Sequence, residues 1–201
     1  MRNACYTPAR VATAVDLANT WRPVRGEDDL ETLPQLRTFL VDHLPAGERD
    51  ASPPLSDADL TEVRAVRATV RTVLETAGSD ADRAAEIVNA GLRHHRVVPT
   101  IRRDEEGWWA DVVADADRPA AHLAAVTLGA LAAVITTLGP DRLGVCAGAS
   151  CRATFADLSR NGSKQYCTRT CAHRASVAAY RSRRRPAVGG PVGDSGGVVT
   201  G

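Results

Sequence analysis

Residues 146–171 read CAGASCRATFADLSRNGSKQYCTRTC, and the cysteine spacing here decides how the C-terminal part of the chain folds. Cys146 and Cys151 form a C-x4-C pair, and Cys167 and Cys171 form a C-x3-C pair 15 residues further on. Zn²⁺ prefers four tetrahedral nitrogen or sulfur ligands, and thiolates suit it well. Two short pairs joined by a hairpin-length segment can bring four sulfurs to one point. Thr154 and Phe155 fit one strand and Gln165 and Tyr166 the next, with Asn161-Gly162 as the turn between them. Gly148 is expected to relax the backbone so that both thiols of the first pair face inward. After Cys171 the period turns helical, and Val177 and Tyr180 share a face suited to packing on Phe155 and Tyr166. The expected unit is a small, treble-clef-like four-cysteine zinc finger. Four closed ligands leave no open coordination position, so a single structural Zn²⁺ is expected and an enzyme is not. His173 could replace one thiolate, but four cysteines already complete the set. The plainer reading, four unrelated buried or redox cysteines, fits the paired spacing poorly. An oxidation that ejects zinc is compatible with the metal reading. Cys5 has no partner nearby in sequence.

Charge gives this region a partner. The 201-residue chain carries a net charge of +1, yet residues 141–185 hold 10 Lys+Arg against 2 Asp+Glu, and residues 1–140 hold 15 against 21. On a helical wheel Arg174, Arg181 and Arg185 form a stripe with Ala178 between them, extended by Arg183 and Arg184. Arg160, Lys164 and Arg169 come from the hairpin and the turn before the helix. Such a surface suits phosphates, and Arg can read guanine in a major groove. Cations at a helix C-terminus also favour the macrodipole without any partner.

Towards the N-terminus the chain is mainly helical. Arg10–Asn19 fits a short strand or a helix. Leu33, Leu36, Leu40 and Leu44 recur at helical spacing, with Pro34 in a first turn. Residues 46–54 read as a loop. Ser56 and Asp59 form a capping pair before Leu60, Val63, Val66, Val70 and Val73, and Gly78 ends that run. Ser79 is expected to cap a third helix bearing Ala84, Ile87, Val88 and Leu92. Then the period changes: residues 96–102 and 108–113 read as a hairpin around the acidic turn Asp104-Glu105-Glu106-Gly107. Trp108 and Trp109 point to opposite faces, one towards the core and the other a candidate ligand-stacking or contact surface. Between Arg118 and Asp141 no residue carries a formal charge, a length that could span a bilayer. The stretch is Ala-rich, with His122, Gly129, Thr127, Thr136 and Thr137 interspersed, and reads as a buried core helix opened by Pro119 and closed by Gly139-Pro140. No membrane partner is expected. His94 and His95 are adjacent and read as helix-end residues, since neighbours do not share a helix face.

The residues from Cys146 to Arg185 resemble the CGNR zinc finger. The resemblance rests on Phe155, Asp157, Ser159-Arg160-Asn161-Gly162-Ser163, Tyr166-Cys167 and Cys171-Ala172-His173-Arg174. In that family the finger follows an ABATE domain, and Val15-Asp16-Leu17-Ala18-Asn19-Thr20 is similar to the ABATE opening, commonly Leu-Asp-Phe-Val-Asn-Thr. The naming motif Cys-Gly-Asn-Arg is here Cys171-Ala172-His173-Arg174. The ligand and the arginine remain; any contact made by the family's Asn changes. The resemblance implies a bacterial, stress-induced transcription regulator that binds DNA through the finger and senses a ligand through the first domain. Asp16, Asn19, Thr20 and Trp21 are the candidate effector pocket, set against the reading that Asp16 or Asn19 merely caps a helix or satisfies a turn.

The expected organisation is a mainly α fold with a small β-hairpin. Residues 1–140 form an ABATE-like sensor or dimerisation domain, residues 141–185 the finger, and residues 186–201 a disordered tail. The expected partners are DNA, a small-molecule effector and a second copy in a homodimer. No apolar signal-peptide core is visible, so the expected location is the cytoplasm, on the nucleoid. The competing class is a protein-interaction module docking on an acidic partner, with a redox switch at the metal.

Overall fold

The computed structural model describes residues 7–44, 54–105 and 107–184. Cys5, the loop over residues 46–53, Glu106, Arg185 and the tail after it lie outside the described residues. In chain order the helices are α1 (Pro8–Asn19), α2 (Leu33–His43), α3 (Asp57–Thr76), α4 (Ala81–His94), α5 (Pro119–Thr137) and α6 (Arg169–Arg184). The strands are β1 (Trp21–Arg22), β2 (Glu27–Asp28), β3 (Val97–Asp104), β4 (Gly107–Ala114), β5 (Leu143–Val145) and β6 (Thr154–Ala156). They pair as three antiparallel two-stranded sheets, β1-β2, β3-β4 and β5-β6. The fold is mainly α, as the periodicity indicated, with two small ribbons beyond the expected hairpin.

The uncharged helix α5 is the centre of the body. It is long and apolar enough to cross a membrane by composition alone, but 72% of its most apolar window is buried inside the protein. A helix hydrophobic all round is a core helix when other elements surround it. Here α1, α3 and α4 pack on it, as does β4. Leu123, Leu128, Leu131 and Val134 are fully buried there. Gly139, at φ +104°, ends the segment in a conformation that glycine tolerates best.

Local capping sets the helix starts. Thr32 with Gln35, and Ser56 with Asp59, form capping boxes before α2 and α3. For α4 the expected cap is corrected by one residue. Asp80 accepts from the Arg83 N–H at 3.0 Å, while the Ser79 hydroxyl donates back to the Thr76 carbonyl. The carboxylate one position later also meets the helix dipole with a full charge. The ambiguous segment 10–19 is helical, burying Val11, Ala14, Leu17 and Ala18 at 3–4 residue spacing.

The β3-β4 register pairs Arg103 with Trp108, Ile101 with Ala110 and Thr100 with Asp111. Asp111 is buried beneath the ribbon, where Arg10 (2.6 Å) and Arg102 (3.2 Å) neutralise it. Trp109 lies on that inner face but is only half-buried, so neither tryptophan of the pair is a core residue.

Candidate metal centre and nucleic-acid interface

The finger is built onto the body. Leu143, at the start of β5, is buried in the main core. β6 then lies against α1 and α3. This corrects the expected pairing: Thr154 and Phe155 pair with Val145 and Gly144, not with residues 165 and 166. The Phe155 ring packs against Gly144, where a Cβ would come within 3.3 Å of Cζ. The segment 157–166 is a loop instead. Buried Asp157 organises it by accepting from the N–H groups of Ser159 (2.9 Å) and Lys164 (2.8 Å). Burial opposes ionisation of Asp157, but these hydrogen bonds and nearby Arg142 hold its carboxyl below the usual range.

Gly162 is required in that loop for two reasons. Its φ is +60°, and a Cβ would lie 2.7 Å from the Arg142 guanidinium carbon. Arg142 there donates to the Ser159 carbonyl at 2.6 Å. Gly162→Val is expected to cost about 2–3 kcal/mol through backbone strain and the displaced arginine. A thermal melt of the zinc-loaded variant checks this; an unchanged midpoint would refute it.

The four cysteines converge. The Cys146 N–H donates to Ala153 O, the Cys151 N–H to Gly148 O, and the Ala147 N–H ties the knuckle to Gln165 O. Gly148 has no positive φ, and a Cβ there would make only ordinary contacts, 3.5 Å from the Cys146 sulfur, so the expected need for glycine's freedom is not seen. Thr168 caps α6 by accepting from the Cys171 N–H at 3.2 Å. Cys167 and Cys171 therefore sit at the positive end of the helix, where thiolates are favoured. All four Sγ atoms lie within 4.8 Å of one another, with Cys151–Cys167 and Cys167–Cys171 each at 3.7 Å. A tetrahedral ZnS4 centre with bonds near 2.3 Å has sulfur–sulfur edges of about 3.8 Å. The donor set and its spacing fit zinc.

The thiols differ in how readily they ionise before metal arrives. Burial opposes it at Cys146, yet the N–H groups of Cys167 and Gly148 bring that thiol down to about 7. Burial, together with the neighbouring sulfurs, pushes Cys167 up to about 12. Zinc uptake near pH 7 must therefore expel protons, and affinity falls as pH falls. Calorimetric titration in buffers of different ionisation enthalpy checks this, and buffer-independent heats would contradict it.

The expected packing of α6 is also corrected. Tyr180 is 51% exposed and Val177 only half-buried. The Phe155 ring carries the Lys164 ammonium at 5.3 Å. Among the described residues, α6 has no extensive packing against any other element. Arg160, Lys164, Arg169, Arg174, Arg181 and Arg183 are all exposed, and Arg184 is the last residue of α6. Arg174 and Arg181 line one shallow groove with Val177 and Ala178.

Asn19 joins the body to the finger. Its side-chain amide donates to the Thr154 carbonyl (3.0 Å) and accepts from the Thr154 N–H (2.8 Å), as a neighbouring strand would. Thr20 is buried and donates to Leu17 O, while Asp16 faces His43 at 3.3 Å. Asp16, Asn19 and Trp21 line a cleft of about 840 Å3 between α1, the 21–25 turn and the finger; Thr20 does not. Buried Arg71 was not singled out in the sequence. It donates to the carbonyls of Ala18 (3.3 Å), Trp21 (3.2 Å) and Arg152 (2.6 Å), and pairs with Glu75. The signal was present: Arg64, Arg67 and Arg71 form a stripe at helical spacing beside the apolar face of α3. Arg64 donates to Leu30 O, and Arg67 clasps Asp28 with both guanidinium nitrogens.

Known families cover most of the chain. Residues 142–184 match the family model described as CGNR zinc finger. Residues 12–138 match ABATE, described as "Putative stress-induced transcription regulator". No curated protein matches the chain.

Proposed function

The chain belongs to the ABATE family of transcription regulators and carries a CGNR zinc finger, and from that premise we propose that it binds DNA through the exposed arginines of α6. The observation that carries this reading is the bare helix: α6 projects from a structural zinc site with its cations turned to solvent. A helix of 16 residues is about 24 Å long and narrow enough for a major groove. Zinc fixes where the helix starts; Arg174 and Arg181, two turns apart, meet phosphates or base edges; Arg160, Lys164 and Arg169 meet the backbone beside them. The cleft at Asp16, Asn19 and Trp21 is of a size to take a small-molecule effector. A ligand there would touch both the body and the finger. The working location is then the cytoplasm, on DNA.

If five cations each neutralise a phosphate, log affinity should fall with log salt at a slope of about −4 to −5. Between low and physiological salt that is a loss of several-hundred-fold. Arg181→Ala should weaken binding to all sequences and reduce the slope by about one. A flat salt response of the full-length protein would refute the phosphate contacts.

A further inference from the structure

We infer that the outer face of the β3-β4 ribbon is a dimer interface, and that its occupant is a second copy of this chain stacked tip to base. This inference stands apart from the DNA reading.

An antiparallel ribbon with one face on the core normally turns polar side chains to water on the other. This ribbon does not. Its inner face carries buried Asp111 and half-buried Trp109. Its outer face presents Pro99 and Ile101 from β3, and Trp108, Ala110 and Val112 from β4. Ile101 is 75% exposed and Trp108 67%. Arg103, the one charged side chain described on this face, stacks over the Trp108 ring at 5.3 Å, so the cation sits at the tip and leaves Ile101, Pro99 and Ala110 as the uncharged middle of the face. A contiguous exposed apolar patch of this kind on a monomer is often functional.

The face is complementary to itself. In the register observed, Trp108 sits at the tip and Ala114 at the base of the same strand, while Ile101 and Pro99 occupy the two middle rungs of the other. A two-fold axis across the ribbon lays the tip of one copy over the base of the other. Trp108 then covers the partner's Ala114, Ile101 meets the partner's Pro99, and large side chains face small ones. Charge selects this stacking over tip against tip. Glu105 is exposed in the turn, and two such turns side by side would repel. Tip to base instead places exposed Glu105 of one copy beside exposed Arg96 at the base of the other. One face of a two-stranded ribbon buries less than the ~1,200–2,000 Å2 of a stable interface, so the expected dimer is weak and concentration-dependent rather than obligate.

Sedimentation equilibrium of the full-length, zinc-loaded protein across the micromolar range tests this. A reversible monomer–dimer equilibrium is expected. Trp108→Glu should raise the dimer dissociation constant about thirtyfold or more, as for an aromatic hot spot. The side chain is exposed, so its melting temperature should not change. Glu105→Arg should weaken the dimer, and adding Arg96→Glu should restore it. A wild-type monomer at the highest concentration, or a dimer indifferent to Trp108→Glu, overturns the interface. Failure of the charge swap to restore association overturns the tip-to-base arrangement.

Discussion

Replacing Cys171 with Ser is expected to abolish tight zinc binding and melt α6 while the helical body stays folded. Structural zinc in small fingers supplies on the order of 10 kcal/mol of folding free energy. The distal half of this finger has little else to hold it. Its loop is organised by Asp157 and Arg142, its helix begins at the Thr168 cap, and Val177 and Tyr180 are not packed into a core. The proximal half is different: Leu143 and Phe155 are buried, and Asn19 and Arg71 fasten the backbone at Thr154 and Arg152 to the body. Loss of metal should thus release residues from about 164 onward and spare the rest. Hydrogen exchange on the variant, with zinc content measured beside it, reads this directly. Protection lost from α6 alone is expected; protection lost throughout α1, α3 and α5 would contradict it.

Arg71→Ala is the second large effect. The variant leaves three carbonyls without their guanidinium donor and leaves Glu75 without its partner. Unmet buried acceptors and a broken, largely buried pair together cost about 2–4 kcal/mol. For a chain of this size the melting temperature should fall by about 5–15 °C. Arg71→Lys should not rescue it, because one ammonium cannot serve the donors' spread positions. A shift within experimental error would show that the arginine is not the joint between body and finger.

The parts legible in the sequence are those written locally. Cysteine spacing gave the metal centre, because ligand geometry constrains a few residues at a time. Ser56 with Asp59, Pro119 with Gly139, and the change of period at Arg96 marked the elements they bound. The long uncharged stretch was separable from a membrane span by its alanines, threonines and His122. What stayed hidden depends on partners distant in sequence. Strand β5 is three residues long and reads as a linker, so Phe155 was matched with the nearer Tyr166 segment. Asn19 was weighed as a cap or a pocket residue, whereas its partner lies 135 residues away. Arg71 was not singled out, since nothing local shows that the end of α1 and the knuckle close over it. Tyr180 was placed in a core by its apolar character, but half of it stays exposed on α6.

The most direct measurement is fluorescence anisotropy of a labelled duplex with the full-length protein, zinc-loaded and then stripped of metal by a chelator, at low and physiological salt. Tight binding by the zinc form that weakens steeply with salt and is lost with the metal is expected. Equal affinity with and without zinc, or none at low salt with the metal bound, would contradict a zinc-held helix that engages DNA.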